Sequence, residues 1–123
     1  MCDIWSCGVI MYVILCGYPP FAAEEDREIL DKVKKGRFDY PSEEWSHVSQ
    51  DAKDLINHML IMKTHDRFTA EQAMNDAWIK EQAPNATNAQ LNTKMVDNLK
   101  SFRVQNKFKK AGMQMISVCF CFI

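Results

Sequence analysis

The sequence has no apolar run long enough to cross a membrane. Its longest, Trp5 to Cys16, is interrupted by Ser6 and Gly8 and falls short of the roughly 20 residues a spanning helix needs. The opening Met1-Cys2-Asp3 has no basic n-region and so does not read as secretory. The five cysteines, Cys2, Cys7, Cys16, Cys119 and Cys121, are odd in number, which argues against a disulfide scaffold and for a cytoplasmic, intracellular protein. Cys7 and Cys16 would face opposite sides of a helix, and His47, His58 and His65 are scattered. The expectation is therefore no metal site and no catalytic triad. No calcium loop of the form D-x-D-x-D-G occurs. Internal repeats, low-complexity segments and convincing strands are absent.

Acidic residues nearly vanish from one end. Residues 84–123 carry one acidic and six basic groups, whereas residues 1–83 carry fifteen and nine. The net charge of −1 thus conceals an acidic body and a basic tail, a pattern of regulatory or binding segments. The basic stretch is confined to that tail, so nucleic-acid binding is not indicated.

What is present reads as all-α. Residues 3–15 are apolar nearly all round, the pattern of a helix enclosed by other elements, with Asp3 at its start. Gly17-Tyr18-Pro19-Pro20-Phe21 ends it in a rigid turn. A second helix is predicted over residues 24–35, with acidic groups first, lysines last and Gly36 as its stop. Its narrow stripe is Ile29, Leu30 and Val33. Arg37 to His47 reads as a connection. Ser49 caps a third helix whose Ala52, Leu55, Ile56, Met59 and Leu60 make one core-facing stripe. Thr69 and Gln72 are spaced as a capping box for a fourth helix, with Ala70, Ala73, Met74, Ala77 and Trp78 as its buried face. Two further apolar series follow in the basic tail: Leu91, Met95, Leu99 and Phe102, then Val104, Phe108, Ala111 and Met115. Lys100, Arg103, Lys107 and Lys110 flank the second.

Asp3-Ile4-Trp5-Ser6-Cys7-Gly8-Val9 with Gly17-Tyr18-Pro19-Pro20-Phe21 resembles the central helix and following loop of a eukaryotic protein kinase C-lobe. Arg67-Phe68-Thr69-Ala70-Glu71-Gln72-Ala73-Met74 with Trp78-Ile79 resembles the end of that domain, and the spacing between the blocks fits. Asn98-Leu99-Lys100-Ser101-Phe102-Arg103 and Phe108-Lys109-Lys110-Ala111 resemble the autoinhibitory junction of plant and protist calcium-dependent protein kinases. The resemblance implies the second half of a C-lobe over residues 1–81, a linker at 82–90, an amphipathic regulatory helix at 91–116, and an atypical apolar tail at 117–123. Departures fall in turns. Lys63 and Thr64 stand where relatives often carry Asp-Pro, and Asp76-Ala77 where they often carry His-Pro.

By that resemblance, Asp3 holds the backbone of the catalytic loop, and Arg67 pairs with the glutamate of A-P-E. Gly17, Tyr18, Pro19, Pro20 and Phe21 border the peptide-substrate groove. Leu99, Lys100, Phe102, Arg103, Lys107, Phe108 and Lys110 make a regulatory helix read by an EF-hand domain or calmodulin, or a strip laid against the kinase's own groove. The signatures that perform phosphoryl transfer, G-x-G-x-x-G, V-A-I-K, H-R-D and D-F-G, do not occur in this sequence. ATP and magnesium are therefore expected of the full-length parent, with protein substrates and the remainder of the kinase domain as partners. This chain is expected to hold no catalytic residue and no cofactor, and to be inactive alone. The alternatives are a non-catalytic helical interaction module and, further off, a membrane-surface peptide built on the basic tail with Cys119 and Cys121. With its covering elements outside the sequence, helix 3–15 is expected to expose a large apolar patch.

Overall fold

The computed structural model describes residues 2–84 and 93–104, the side chains of Arg103 and Val104 excepted. Helices are its only regular elements, and no strand occurs among the described residues. They are α1 (Cys2–Cys16), α2 (Asp26–Lys35), α3 (Ser42–Trp45), α4 (Gln50–Met59), α5 (Ala70–Met74), a π-helical turn (Trp78–Gln82) and α6 (Thr93–Val104).

Helix α1 is the axis of the fold. Its residues Trp5, Val9, Tyr12 and Cys16 recur along one face and are all buried, each large apolar side chain contributing roughly 1.5–3 kcal/mol. α4 lies across it, presenting Ala52, Leu55, Ile56 and Met59. Leu60, immediately after α4, is buried as well. The crossing is close at Gly8, where a methyl group would stand 2.9 Å from Leu60 Cδ2 and 3.0 Å from Met59 Cβ. α4 starts as its sequence dictates, with the Ser49 hydroxyl accepting from the Ala52 N–H at 3.3 Å.

The connection after α2 is more ordered than its sequence suggests. It contains α3, and Trp45 from α3 meets Tyr12 (centroids 4.6 Å apart) and Tyr40 (4.6 Å). Phe38 stands edge-on to Tyr12 at 6.1 Å. Tyr12 donates its hydroxyl to Asp39 O at 2.7 Å, so the buried phenol is satisfied. This aromatic cluster, drawn from three segments, forms the second half of the core.

The structure departs from the sequence pattern at three places. On α2 only Ile29 and Val33 are buried, and Leu30 points outward, 37% exposed, because a ten-residue helix lying on the surface needs only a two-residue seam. The fourth helix is split. α5 ends at Asn75, and Asp76 restarts the chain by accepting the Trp78 N–H on its carboxylate at 2.9 Å. Its proposed buried face is not buried, Met74 being 67% exposed. Finally, α1 is not enclosed on all sides, since Ile10 and Ile14 are 47% and 59% exposed. The expected apolar patch is present along that face. The capping box forms as read, with Thr69 Oγ1 accepting from Gln72 N at 3.2 Å and Gln72 Oε1 from Thr69 N at 2.8 Å.

Candidate functional site

The turn that follows α1 is held from both sides. Pro19, Pro20 and Phe21 are buried, and Phe21 stacks on Trp5 with centroids 5.6 Å apart and planes 3° from parallel. Tyr18 is half-buried, edge-on to Tyr12 at 5.8 Å. The Cys16 thiol donates toward Tyr12 O and Tyr18 O, each 3.2 Å away. Burial pushes that thiol up to about 12, with the Tyr18 carbonyl contact opposing the rise. It is therefore a structural thiol with no nucleophilic thiolate near neutral pH.

Helix α6 seats against this turn. Asn98 Nδ2 donates to Cys16 O at 3.0 Å, and Phe102 is 5% exposed. Lys94 forms ion pairs with Glu43 and Glu44 of α3. The two carboxylates keep the Lys94 ammonium above its ordinary range. Of the residues read from sequence as a regulatory helix, Phe102 is buried, Leu99 is half-buried, and Lys100 is exposed beside Asp97 at 3.9 Å. The side chain of Arg103, and Lys107, Phe108 and Lys110 entirely, lie outside the described residues. Lys94 went unmarked in the sequence, and Asn98 stood there only within the junction-like block, with no role of its own. Their signal was available in the four-residue step from Lys94 through Asn98 to Phe102, one line along a helix.

Asp3 lies in the first turn of α1 and is exposed, with the Cys2 thiol 3.7 Å from its Oδ1. Arg67 is 2% exposed, an unusual place for a guanidinium. Its Nε donates to Ile61 O at 2.8 Å and its NH2 group to Met62 O at 3.2 Å. The guanidinium also lies over the Trp5 ring, 5.1 Å from the centroid. Burial lowers its pKa from the ordinary arginine value. Asp3 and Arg67 thus flank the N-terminal half of α1, while the Gly17–Phe21 turn and α6 occupy its other end. His58 is exposed and stacks on Phe68 at 4.3 Å.

An apolar groove of about 490 Å³ runs along the open face of α1, between Ile4, Cys7 and Ile14 on one side and Leu55, Met74 and Trp78 on the other. Among the described residues no group of three or more His, Cys, Asp or Glu is placed to hold a metal ion, and no helix is long and apolar enough to cross a membrane.

A family model described as the protein kinase domain matches residues 1–79. Calcium-dependent protein kinase 14 of Oryza sativa subsp. japonica is 42% identical over 117 residues, covering 95% of this chain and 22% of that protein. Calcium-dependent protein kinase 3 of Plasmodium berghei is 38% identical over 117 residues, covering 94% and 21%. A solved structure of titin kinase and its flanking domains superposes with a TM-score of 0.75 at 25% identity, over 85% of this chain and 19% of that one. The chain therefore spans about a fifth of the length of these relatives.

Proposed function

The chain belongs to the protein kinase domain family, and from that premise we propose that it is the later part of the C-lobe of a calcium-regulated serine/threonine kinase, carried with its regulatory helix. The observation that carries this reading is the match of residues 1–79 to a kinase domain, followed by a helix, α6, seated on the matched part through Asn98 and Cys16. Similarity to calcium-dependent protein kinases over nearly the whole chain supports the calcium link.

The parent's reaction is transfer of the ATP γ-phosphoryl group to a serine or threonine hydroxyl. That chemistry rests on a phosphate-covering loop, a lysine, a catalytic aspartate and magnesium ligands. We read the nucleotide and the metal as held elsewhere in the parent, a reading supported by the absence of the four signature motifs from this sequence. The roles left to the chain are structural. The exposed Asp3 carboxylate is the group to receive backbone N–H groups of a catalytic loop. Arg67 ties Trp5 to the carbonyls of Ile61 and Met62 and is the group to meet an activation-segment glutamate. The Gly17–Phe21 turn borders the peptide.

The purified chain, given ATP, magnesium and a generic basic protein substrate, is expected to transfer no phosphate above a blank, and measurable turnover would overturn this part of the reading. For the regulatory part, calcium-loaded calmodulin is expected to retain the chain on a resin. Neutralising Lys100, Arg103 and Lys107 together should abolish retention. Equal retention of the neutralised variant would remove the basic helix as the recognition element.

The open groove beside Ile14 and Met74 favours a second reading, a non-catalytic helical interaction module. The reading frame upstream of Met1 discriminates between the two. Continuation through H-R-D and D-F-G supports the kinase, and a genuine start at Met1 supports the module.

A further inference from the structure

Polar contacts help to seat α6. Lys94, Asn98 and Phe102 follow one another at four-residue steps and so form one line down the helix. Lys94 reaches Glu43 and Glu44, Asn98 reaches Cys16 O, and Phe102 contributes a buried apolar group, with Met95 and Leu99 half-buried beside this line. The directional partners of Lys94 and Asn98 specify a position.

That position is the joint between α1 and the turn. The carbonyl of Cys16 is among the last of α1, where no intrahelical donor is available, and the Asn98 amide satisfies it at 3.0 Å. The next residue, Gly17, has φ +91°, a conformation that side-chain-bearing residues resist. A methyl group there would collide with Asn98 Cβ and stand 3.0 Å from both Leu99 N and Met95 O. Backbone of α6 therefore lies directly on backbone of the turn. Cys16 completes the joint from within, through its thiol contacts to Tyr12 O and Tyr18 O.

We propose that α6 is a brace for the Gly17–Phe21 turn, with Asn98 and Gly17 as positioning residues, and that a partner seizing α6 by its Asn98–Phe102 face loosens the turn. The mechanical coupling stands on the contacts alone. Its meaning for peptide binding rests on the kinase reading given above. A regulatory signal then reaches the peptide-bordering turn from behind, without any part of α6 entering the groove. The coupling is reciprocal, as linkage requires.

Amide hydrogen exchange on the whole chain tests this. The Gly17 N–H is bonded to Val13 O at 2.7 Å and reports on the joint. Asn98→Ala is expected to speed Gly17 exchange at least ~10-fold, and Asn98→Asp, which keeps the shape but removes the donor, should do the same. Ser101→Ala, on the exposed side of α6, should change it less than ~2-fold. Gly17→Ala should in turn speed exchange across residues 95–102 while leaving Leu55 in α4 slow. If both Asn98 variants open α6 yet leave Gly17 within ~2-fold of the wild type, the brace is refuted. Should the Asn98 variants unfold the whole chain, Lys94→Ala, at a partly exposed ion pair, gives the same comparison. Calcium-loaded calmodulin is the partner probe. Binding with faster Gly17 exchange supports the proposal, and binding with unchanged Gly17 exchange overturns it. Failure of calmodulin to bind counts against the calcium-sensor reading alone, and the variants then decide the brace.

Discussion

Arg67 lays its guanidinium over the ring of Trp5, 5.1 Å from the centroid, while giving hydrogen bonds to the carbonyls of Ile61 and Met62. One side chain thus fastens the stretch after α4 onto the face of α1. Arg67→Ala strips donors from two carbonyls and leaves a void over Trp5. It is expected to lower unfolding free energy by about 3 kcal/mol, seen as a fall in the urea midpoint. Arg67→Lys keeps the charge but loses the planar fork, and about half that loss is expected. A midpoint unchanged in Arg67→Ala would show that the buried guanidinium contributes nothing net.

The open face of α1 should govern self-association. Ile14 and Met74 line the groove and are 59% and 67% exposed. Replacing both at once, Ile14→Glu with Met74→Lys, removes exposed apolar area and little buried contact. The variant is expected to bind a hydrophobic dye several-fold more weakly and to stay monomeric at higher concentration, with its helical circular dichroism unchanged. Sedimentation that remains concentration-dependent in the variant would place the sticky surface elsewhere.

Alkaline pH should destabilise the fold. Burial raises the Cys16 thiol to about 12 from a reference of 9.0, and burial raises the phenols of Tyr12, Tyr18 and Tyr40 in the same sense. In the folded state these groups keep protons that the unfolded chain releases. Their stabilisation is therefore complete below the unfolded-state values and declines as pH rises from about 9 toward 12. Urea midpoints measured at rising pH should fall across that window. Cys16→Ala should flatten the early part of the slope while leaving the tyrosine part. A midpoint that climbs with pH would contradict this sign.

At α5 the capping box is expected to act locally. Thr69→Ala removes the acceptor for Gln72 N, at a cost of about 1 kcal/mol to that turn. Because α5 buries no residue, the change should appear as faster exchange across residues 70–74 with the global melt almost unmoved. A global shift of several degrees would mean that α5 is tied to the core.

Local signals were legible in the sequence wherever a single segment carried them. The α4 stripe from Ala52 to Leu60, the Ser49 cap and the Thr69/Gln72 box all formed as read, because each depends on spacing within one turn or one face. The kinase C-lobe class was legible from two motif blocks and is matched by the family model and the titin kinase structure. What escaped depends on distant partners. α3 exists because Trp45 has Tyr12 of α1 to pack against as well as its neighbour Tyr40, and Tyr12 lies outside its own segment. Met74 reads as a core residue by periodicity yet faces the open groove, since nothing among the described residues covers it. In the tail, apolar spacing singled out Leu99 and Phe102, but it could not show the polar tie to α1, in which Asn98 meets a carbonyl 82 positions earlier. A hydropathy pattern carries no trace of such a pairing.

The placement of the tryptophans gives the molecule a built-in optical gauge. Trp5 and Trp45 are fully shielded and emit from the core, whereas Trp78 is half-buried on the wall of the open groove. The long-wavelength edge of the fluorescence therefore belongs to that one indole. Anything that settles into the groove dries it and draws the edge toward the blue, so occupancy can be followed by emission colour alone, without a label.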